Sequence, residues 1–321
     1  MLSNVFLIIT GLITLVIGGE IFVRGSASIA KRLHISPLVI GLTIVAFGTS
    51  APELFVNIYS AVQGAPDIAL GNILGSNISN VLLVLGISAI IFPLTVKQGT
   101  VWKEIPFSIL TVLVLFLLAN DVIFGNNAIN ILTAADGLVL ISFFLIFIYY
   151  TFGLARVKGE KEEAPEKFSW TTSTLFILGG VISLALGSKL MVDNGIILAR
   201  LAGLSELLIG LTITAVGTSL PELATSVIAA YRRHDQLAIG NIVGSNIFNV
   251  LWILGLTPLV HPIEIKNAVN TDIIITVAVS ALLFVFMFVG KRSGRYTLRR
   301  WQGIIFILLY ITYTAFIFIR G

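Results

Sequence analysis

Cysteine is absent from all 321 residues, so neither a disulfide framework nor a thiolate metal site is available. Charge is nearly as scarce. Asp, Glu, Lys and Arg make up 11% of the chain, where a soluble domain carries about a quarter. Histidine occurs three times, as His34, His234 and His261, each beside the end of an apolar block, where an interfacial role fits better than a catalytic one. No Ser–His pair, His-Glu-x-x-His or Gly-x-Gly-Asp pattern falls within the apolar blocks. Nothing is therefore present to run an intramembrane hydrolysis, and the chain reads as a non-enzyme. The longest polar connection, Ala155–Ser169, is too short for a soluble regulatory domain.

Hydrophobic residues make up 57% of the chain, in long runs such as Gly137–Phe152 and Thr271–Val289. Helical spanning of a bilayer takes about 20 apolar residues, and ten blocks qualify: 4–26, 37–62, 68–93, 102–119, 131–153, 172–195, 206–231, 237–260, 271–290 and 301–319. The expected fold is an all-α integral membrane protein. The net charge of +4 does not point to nucleic acid, because Lys and Arg sit in short connections between blocks. The first block lacks a basic leader and reads as a retained helix. With the N-terminus outside, sixteen Lys and Arg fall on the cytoplasmic side and three (Arg200, Lys266, Arg320) on the other, a strong positive-inside bias. Both termini then face outward, and the linker 155–171 is cytoplasmic.

The halves are copies. A shift of 169 positions superimposes Gly41–Leu54 on Gly210–Leu223 with 11 of 14 identities, and Ala69–Gly86 on Ala238–Gly255 with 13 of 18. The expected units are 1–154 and 172–321, each of five spans. An odd number of spans sets the second unit into the membrane with opposite polarity to the first. Inverted repeats of this kind are a transporter architecture, with a binding site at the repeat interface near the midplane.

Each copy carries Gly-Thr-Ser-x-Pro-Glu inside an apolar span, as Gly48–Glu53 and Gly217–Glu222. Pro52 and Pro221 each remove a backbone donor and disturb the residue four positions earlier, and the glycine there lets the helix bend. Carbonyls of Ala46, Thr49, Ala215 and Thr218 can then turn toward a ligand, as irregular backbone at membrane depth does when it lines a cavity. A carboxylate near the bilayer centre costs at least about 2.5 kcal/mol, so Glu53 and Glu222 need compensation. Protonation or a basic partner is one form of it. However, Lys189 is the one basic residue placed deep in a span, and it cannot neutralise both. A bound cation is the better compensation. An all-oxygen set suits Ca²⁺, which takes 6–8 oxygens.

A second doubled motif supplies neutral oxygens. Ser76 and Asn80 share a helix face, as do Ser245 and Asn249, and they read as site-lining groups. Gly71 and Gly75 fit close helix packing equally well. In the first span of each copy, Glu20 and Arg24, and Lys189 and Asp193, are spaced for salt links within their own helices. A pairing of Glu20 with Lys189 across the copies is the other option.

These doubled motifs resemble the α-repeats of the cation/calcium exchanger superfamily, in particular prokaryotic sodium/calcium exchangers. The resemblance covers nearly the whole chain. It implies exchange of Na⁺ for Ca²⁺ in a prokaryotic membrane, with about three Na⁺ against one Ca²⁺ and one net charge moved per cycle. No cofactor and no obligate protein partner is implied beyond the bilayer and the two ions. By motif, Glu53, Glu222, Thr49 and Thr218 would hold Ca²⁺. Those four residues with Ala46, Ser50, Ser76, Ala215, Ser219 and Ser245 would hold Na⁺. Relatives often carry Asp where this chain has Asn249, so potassium dependence stays open. A Ca²⁺/H⁺ antiporter of the same superfamily is the rival reading, although its glutamate motif generally differs. A passive channel is a third, separable because it would pass calcium without a counter-ion gradient.

Overall fold

The computed structural model describes residues 2–63, 66–124, 129–155, 168–201, 215–265, 267–291 and 295–320. Among these, eight helices are long and apolar enough to cross a membrane, and a bent pair makes a ninth. The helices are α1 (Leu2–Leu33), α2 (Pro37–Thr49), α3 (Ala51–Val62), α4 (Ala69–Ile91), α5 (Gln98–Leu118), α6 (Ala134–Ala155), α7 (Trp170–Leu201), α8 (Ala215–Thr218), α9 (Leu220–Tyr231), α10 (Asp235–Val260), α11 (Val269–Val289) and α12 (Arg300–Arg320). The block expected at 37–62 is the bent pair, α2 and α3, which meet at 46°. Of the block expected at 206–231, the part before residue 215 lies outside the described residues, as does most of the linker 155–171.

The apolar runs sort by depth. Most of the apolar stretch of α10 is buried inside the protein, and nearly as much of α4, whereas α1, α6, α7 and α12 bury only one face. Their outward sides carry Leu, Ile, Val and Phe. In water such surface would drive aggregation, but against acyl chains it costs nothing. Each central helix widens by a π-helical turn, at Asn80–Leu85 in α4 and Asn249–Ile253 in α10. These positions are equivalent under the 169-residue shift.

Among the described residues, two short antiparallel ribbons interrupt the helices. Leu94–Val96 (β1) pairs with Tyr296–Leu298 (β4), and Ile131–Leu132 (β2) with Ile263–Glu264 (β3). Each ribbon takes one strand from either half of the chain. The first is tied down further where Thr95 N donates to Asp235 Oδ2 at 2.9 Å and Gln236 Nε2 donates to Thr95 O at 2.9 Å.

Helices α1 and α7 pack on one another along a seam of small residues. Gly11, Gly18 and Gly25 face Gly187, Gly180 and Ser173, each series spaced by seven. As one series rises the other falls, so the two helices run antiparallel. The contact is backbone to backbone: a Cβ on Gly11 would lie 2.8 Å from Gly187 O, and one on Gly187 would lie 2.8 Å from Leu15 N. Small residues let membrane helices approach closely enough for dispersion to hold them.

Candidate cation site

Both Gly-Thr-Ser-x-Pro-Glu motifs break their helices in the same way. Ser50 and Ser219 stand at the breaks with nearly identical backbone angles (φ −83°, ψ 9° and φ −84°, ψ 2°). Pro52 and Pro221 then open α3 and α9 at helix positions where a missing N–H costs nothing. Glu53 and Glu222 fall in the first turns of these helices, where the N-terminal dipole favours an anion. The carbonyl left without its usual donor at Gly217 is taken by Ser188 Oγ of α7 at 2.6 Å. Ala46 O, by contrast, accepts Ser50 N at 3.0 Å and Thr49 Oγ1 at 3.3 Å.

Both glutamates are wholly buried, and the breaks meet across the two halves. Ser50 Oγ donates to Glu222 Oε1 at 3.0 Å, and Ser245 Oγ does so at 3.5 Å. Thr49 Oγ1 donates to Asn241 Oδ1 at 3.1 Å and lies 3.4 Å from Ser245 Oγ. The equivalent contacts recur with the halves exchanged: Thr218 Oγ1 donates to Asn72 Oδ1 at 3.3 Å and lies 3.5 Å from Ser76 Oγ. Thr49, Ser50, Glu222 and Ser245 thus form one group, and Ser76 with Thr218 another. The described part of Ala215 is its backbone alone, at the start of α8.

Asn80 and Asn249 belong to a quartet that sutures α4 to α10. Asn80 Nδ2 donates to Asn246 Oδ1 and Asn249 Nδ2 to Asn77 Oδ1, each at 3.0 Å. Asn77 Nδ2 and Asn246 Nδ2 each donate to the other's backbone carbonyl, at 3.2 and 3.3 Å. This suture was missed at the sequence level. The signal was there, since Asn72 and Asn77 recur as Asn241 and Asn246, but spacing alone does not say that they face each other.

Several buried oxygens are left over. Glu53 Oε1 and Oε2, Glu222 Oε2, Asn80 Oδ1, Asn249 Oδ1 and Ser219 Oγ have no hydrogen-bond partner among the described residues. A native interior leaves few polar groups unpaired, and an unpaired buried carboxylate is the most costly of them. The donor set is oxygen alone and fits a hard cation. Lys189 does not relieve it: it pairs with Asp193 at 3.1 Å, as expected within its own helix. Glu20 departs from the expectation. It takes Arg232 of α9, while the Arg24 guanidinium lies 5.2 Å from the centre of the Phe168 ring.

A cavity of about 370 Å³ adjoins the site. Gly48 and Pro52 line it from one motif, Gly217 and Pro221 from the other, and Ser188 and Lys189 from α7. Gly240 and Gly244 pack closely, on Leu38, Gly41 and Leu42. Their equivalents Gly71 and Gly75 meet no described neighbour. The positions they would face under the repeat relation lie outside the described residues.

What the chain is similar to points the same way as this geometry. The profile described as "Sodium/calcium exchanger protein" covers residues 3–153 and 172–319. The chain belongs to the sodium/calcium exchanger family. It is 37% identical to the "Putative antiporter CaxA" of Alkalimonas amylolytica, covering 99% of both chains. It is 29% identical to "Sodium/calcium exchanger MaX1" of Methanosarcina acetivorans over 98% of both. Among solved structures, the sodium-calcium exchanger NCX_Mj superimposes with a TM-score of 0.83 at 34% identity, covering 97% of this chain and 98% of that one. This family member is therefore an integral membrane transporter, not an enzyme, of the sodium/calcium exchanger superfamily.

Proposed function

We propose that this chain exchanges Na⁺ for Ca²⁺ by alternating access, with ten spans arranged as two inverted five-helix units, 1–154 and 172–321. The observation that carries the reading is the pair of wholly buried glutamates, one from each half, with three of their four carboxylate oxygens unpartnered among the described residues. Glu53 and Glu222, with the backbone carbonyls of Thr49 and Thr218, hold Ca²⁺. Na⁺ occupies overlapping positions that draw on Ala46, Ser50, Ser76, Ala215, Ser219 and Ser245 as well. Asn80 and Asn249 line the site through Oδ1 atoms that have no partner among the described residues, and leave it at −2 when both glutamates are ionised. One Ca²⁺ neutralises that charge, and three Na⁺ overshoot it by one.

Both motifs border the same cavity, which supports a route from the site to one face. The inverted relation of the halves supports an equivalent route to the other, because each half can adopt the conformation of its copy. Both termini face outward, and the linker 155–171 faces the cytoplasm.

The test is uptake of radiolabelled calcium into proteoliposomes driven by a sodium gradient at clamped pH. Wild type takes up calcium, and Glu53→Gln and Glu222→Gln abolish uptake. Uptake driven by a proton gradient without sodium would replace this reading with Ca²⁺/H⁺ antiport. Near-normal uptake by either variant would remove that residue from the site.

A further inference from the structure

We propose that Glu20 and Arg232 form a one-sided latch that holds the α1–α7 pair in the position seen here, and so sets the balance between the two access states. The proposal rests on the alternation put forward above.

The pair and the rest of the protein are held together differently. The bulk of the chain is sutured across its halves by both β-ribbons and by the asparagine quartet. Helices α1 and α7 instead cling to each other along their small-residue seam. Their outer faces are bare, with Leu12, Ile13 and Val16 of α1 and Leu178 and Leu186 of α7 all more than half exposed. Polar ties do bind this pair to the rest: Ser188 Oγ of α7 donates to the Gly217 carbonyl at 2.6 Å.

Glu20 is such a tie. Arg232 caps the C-terminal end of α9. Its Nε donates to Glu20 Oε2 at 2.7 Å, and its Nη2 donates to Glu20 Oε1. The contact is the two-pronged arrangement in which guanidinium and carboxylate match each other's geometry. It joins the glycine-seamed pair to one of the two glutamate-bearing helices. A displacement of one helical turn, about 5.4 Å, would break both bonds.

The repeat relation shows that the tie has no counterpart. Under the 169-residue shift, Glu20 corresponds to Lys189 and Arg232 to Gln63. Lysine and glutamine cannot form an ion pair, and Lys189 is already joined to Asp193 on its own helix. When the halves trade conformations, the mirror position offers no ionic lock. The cycle is therefore weighted toward the latched state. The partners' side chains are 34% and 29% exposed, and exposed pairs are weak. The weighting is accordingly roughly two- to fivefold, enough to bias the cycle without stalling it.

The absence of cysteine makes the test direct. Single cysteines are placed at Ala185, which lines the cavity, and, in a separate protein, at its repeat equivalent Val16. The ratio of their modification rates by a membrane-impermeant maleimide reports the balance of states without any transport. Glu20→Gln and Arg232→Gln should shift the ratio two- to fivefold, in the same direction. The charge-swapped double variant E20R/R232E should bring it back toward the parent value. A ratio unmoved by either single variant would overturn the latch, as would a swapped variant no closer to the parent than the singles. If Na⁺ and Ca²⁺ move the parent ratio but Glu20→Gln does not, the latch alone is wrong. If neither ion moves it, the alternation fails and the latch fails with it.

Discussion

Removing the charge from Glu53 should make the ion-free protein more stable, even as it destroys function. Glu53 is wholly buried, and neither of its carboxylate oxygens finds a hydrogen bond among the described residues. Holding a carboxylate at such depth costs at least about 2.5 kcal/mol, much of which a neutral amide of the same shape avoids. A net gain of about 1–2 kcal/mol for Glu53→Gln follows. At about 2 °C per kcal/mol for a chain of this size, the melting temperature in chelator and without sodium should rise by about 2–4 °C. Glu222→Gln should gain less. Glu222 Oε1 already accepts from Ser50 and Ser245, and bonds to an ionised group are worth about 1 kcal/mol more than bonds to a neutral one.

Calcium reverses the order. At 1,000 times its Kd, a ligand stabilises the folded state by about 4 kcal/mol, so wild type should gain several degrees on calcium addition while both variants gain almost none. The assay is tryptophan-monitored thermal unfolding of purified protein, using the four native tryptophans. A lower melting temperature for Glu53→Gln in chelator would refute the reasoning, as would an undiminished calcium shift.

Other outcomes follow from the same structure. Gly187→Leu forces a side chain into the α1–α7 seam, where even a Cβ meets Leu15 N at 2.8 Å. It should cost about 1–3 kcal/mol of thermal stability, whereas Gly153→Ala, which meets no described residue within 4 Å, should cost nothing. If exchange moves one net charge, 100 mV is worth about 2.3 kcal/mol, so the calcium ratio at equilibrium should shift about fiftyfold per 100 mV in voltage-clamped vesicles. No shift would mean electroneutral exchange. His234, between α9 and α10, is held below its usual 6.5 by burial and by the Arg232 charge. The unfolded chain therefore binds the proton first, and stability should fall as pH drops through the ordinary histidine range. His234→Asn should flatten the melting-temperature profile there.

Much of the fold was legible in the sequence because the membrane demands a local signal. A helix must be apolar over its whole crossing, so composition alone placed most of the described helices within a few residues. The bend between α2 and α3 was readable too, since the effect of Pro52 on its own helix is a covalent matter. The glutamates stood out for the same reason: an acid in an apolar run is costly wherever the chain leads. Their recurrence at a constant offset marked them as a pair.

What the sequence alone determined, then, is everything that depends on near neighbours along the chain, together with the duplication: the helices, their breaks and the two buried acids. The tertiary structure decided who meets whom. It set Asn77 against Asn246, gave the Gly217 carbonyl to Ser188, laid Gly11 on Gly187 and turned Glu20 to Arg232 instead of within its own helix. Helical periodicity fixes which residues share a face but not which distant helix that face will touch. These contacts close across 29 to 212 residues, and only the packed protein brings their ends together.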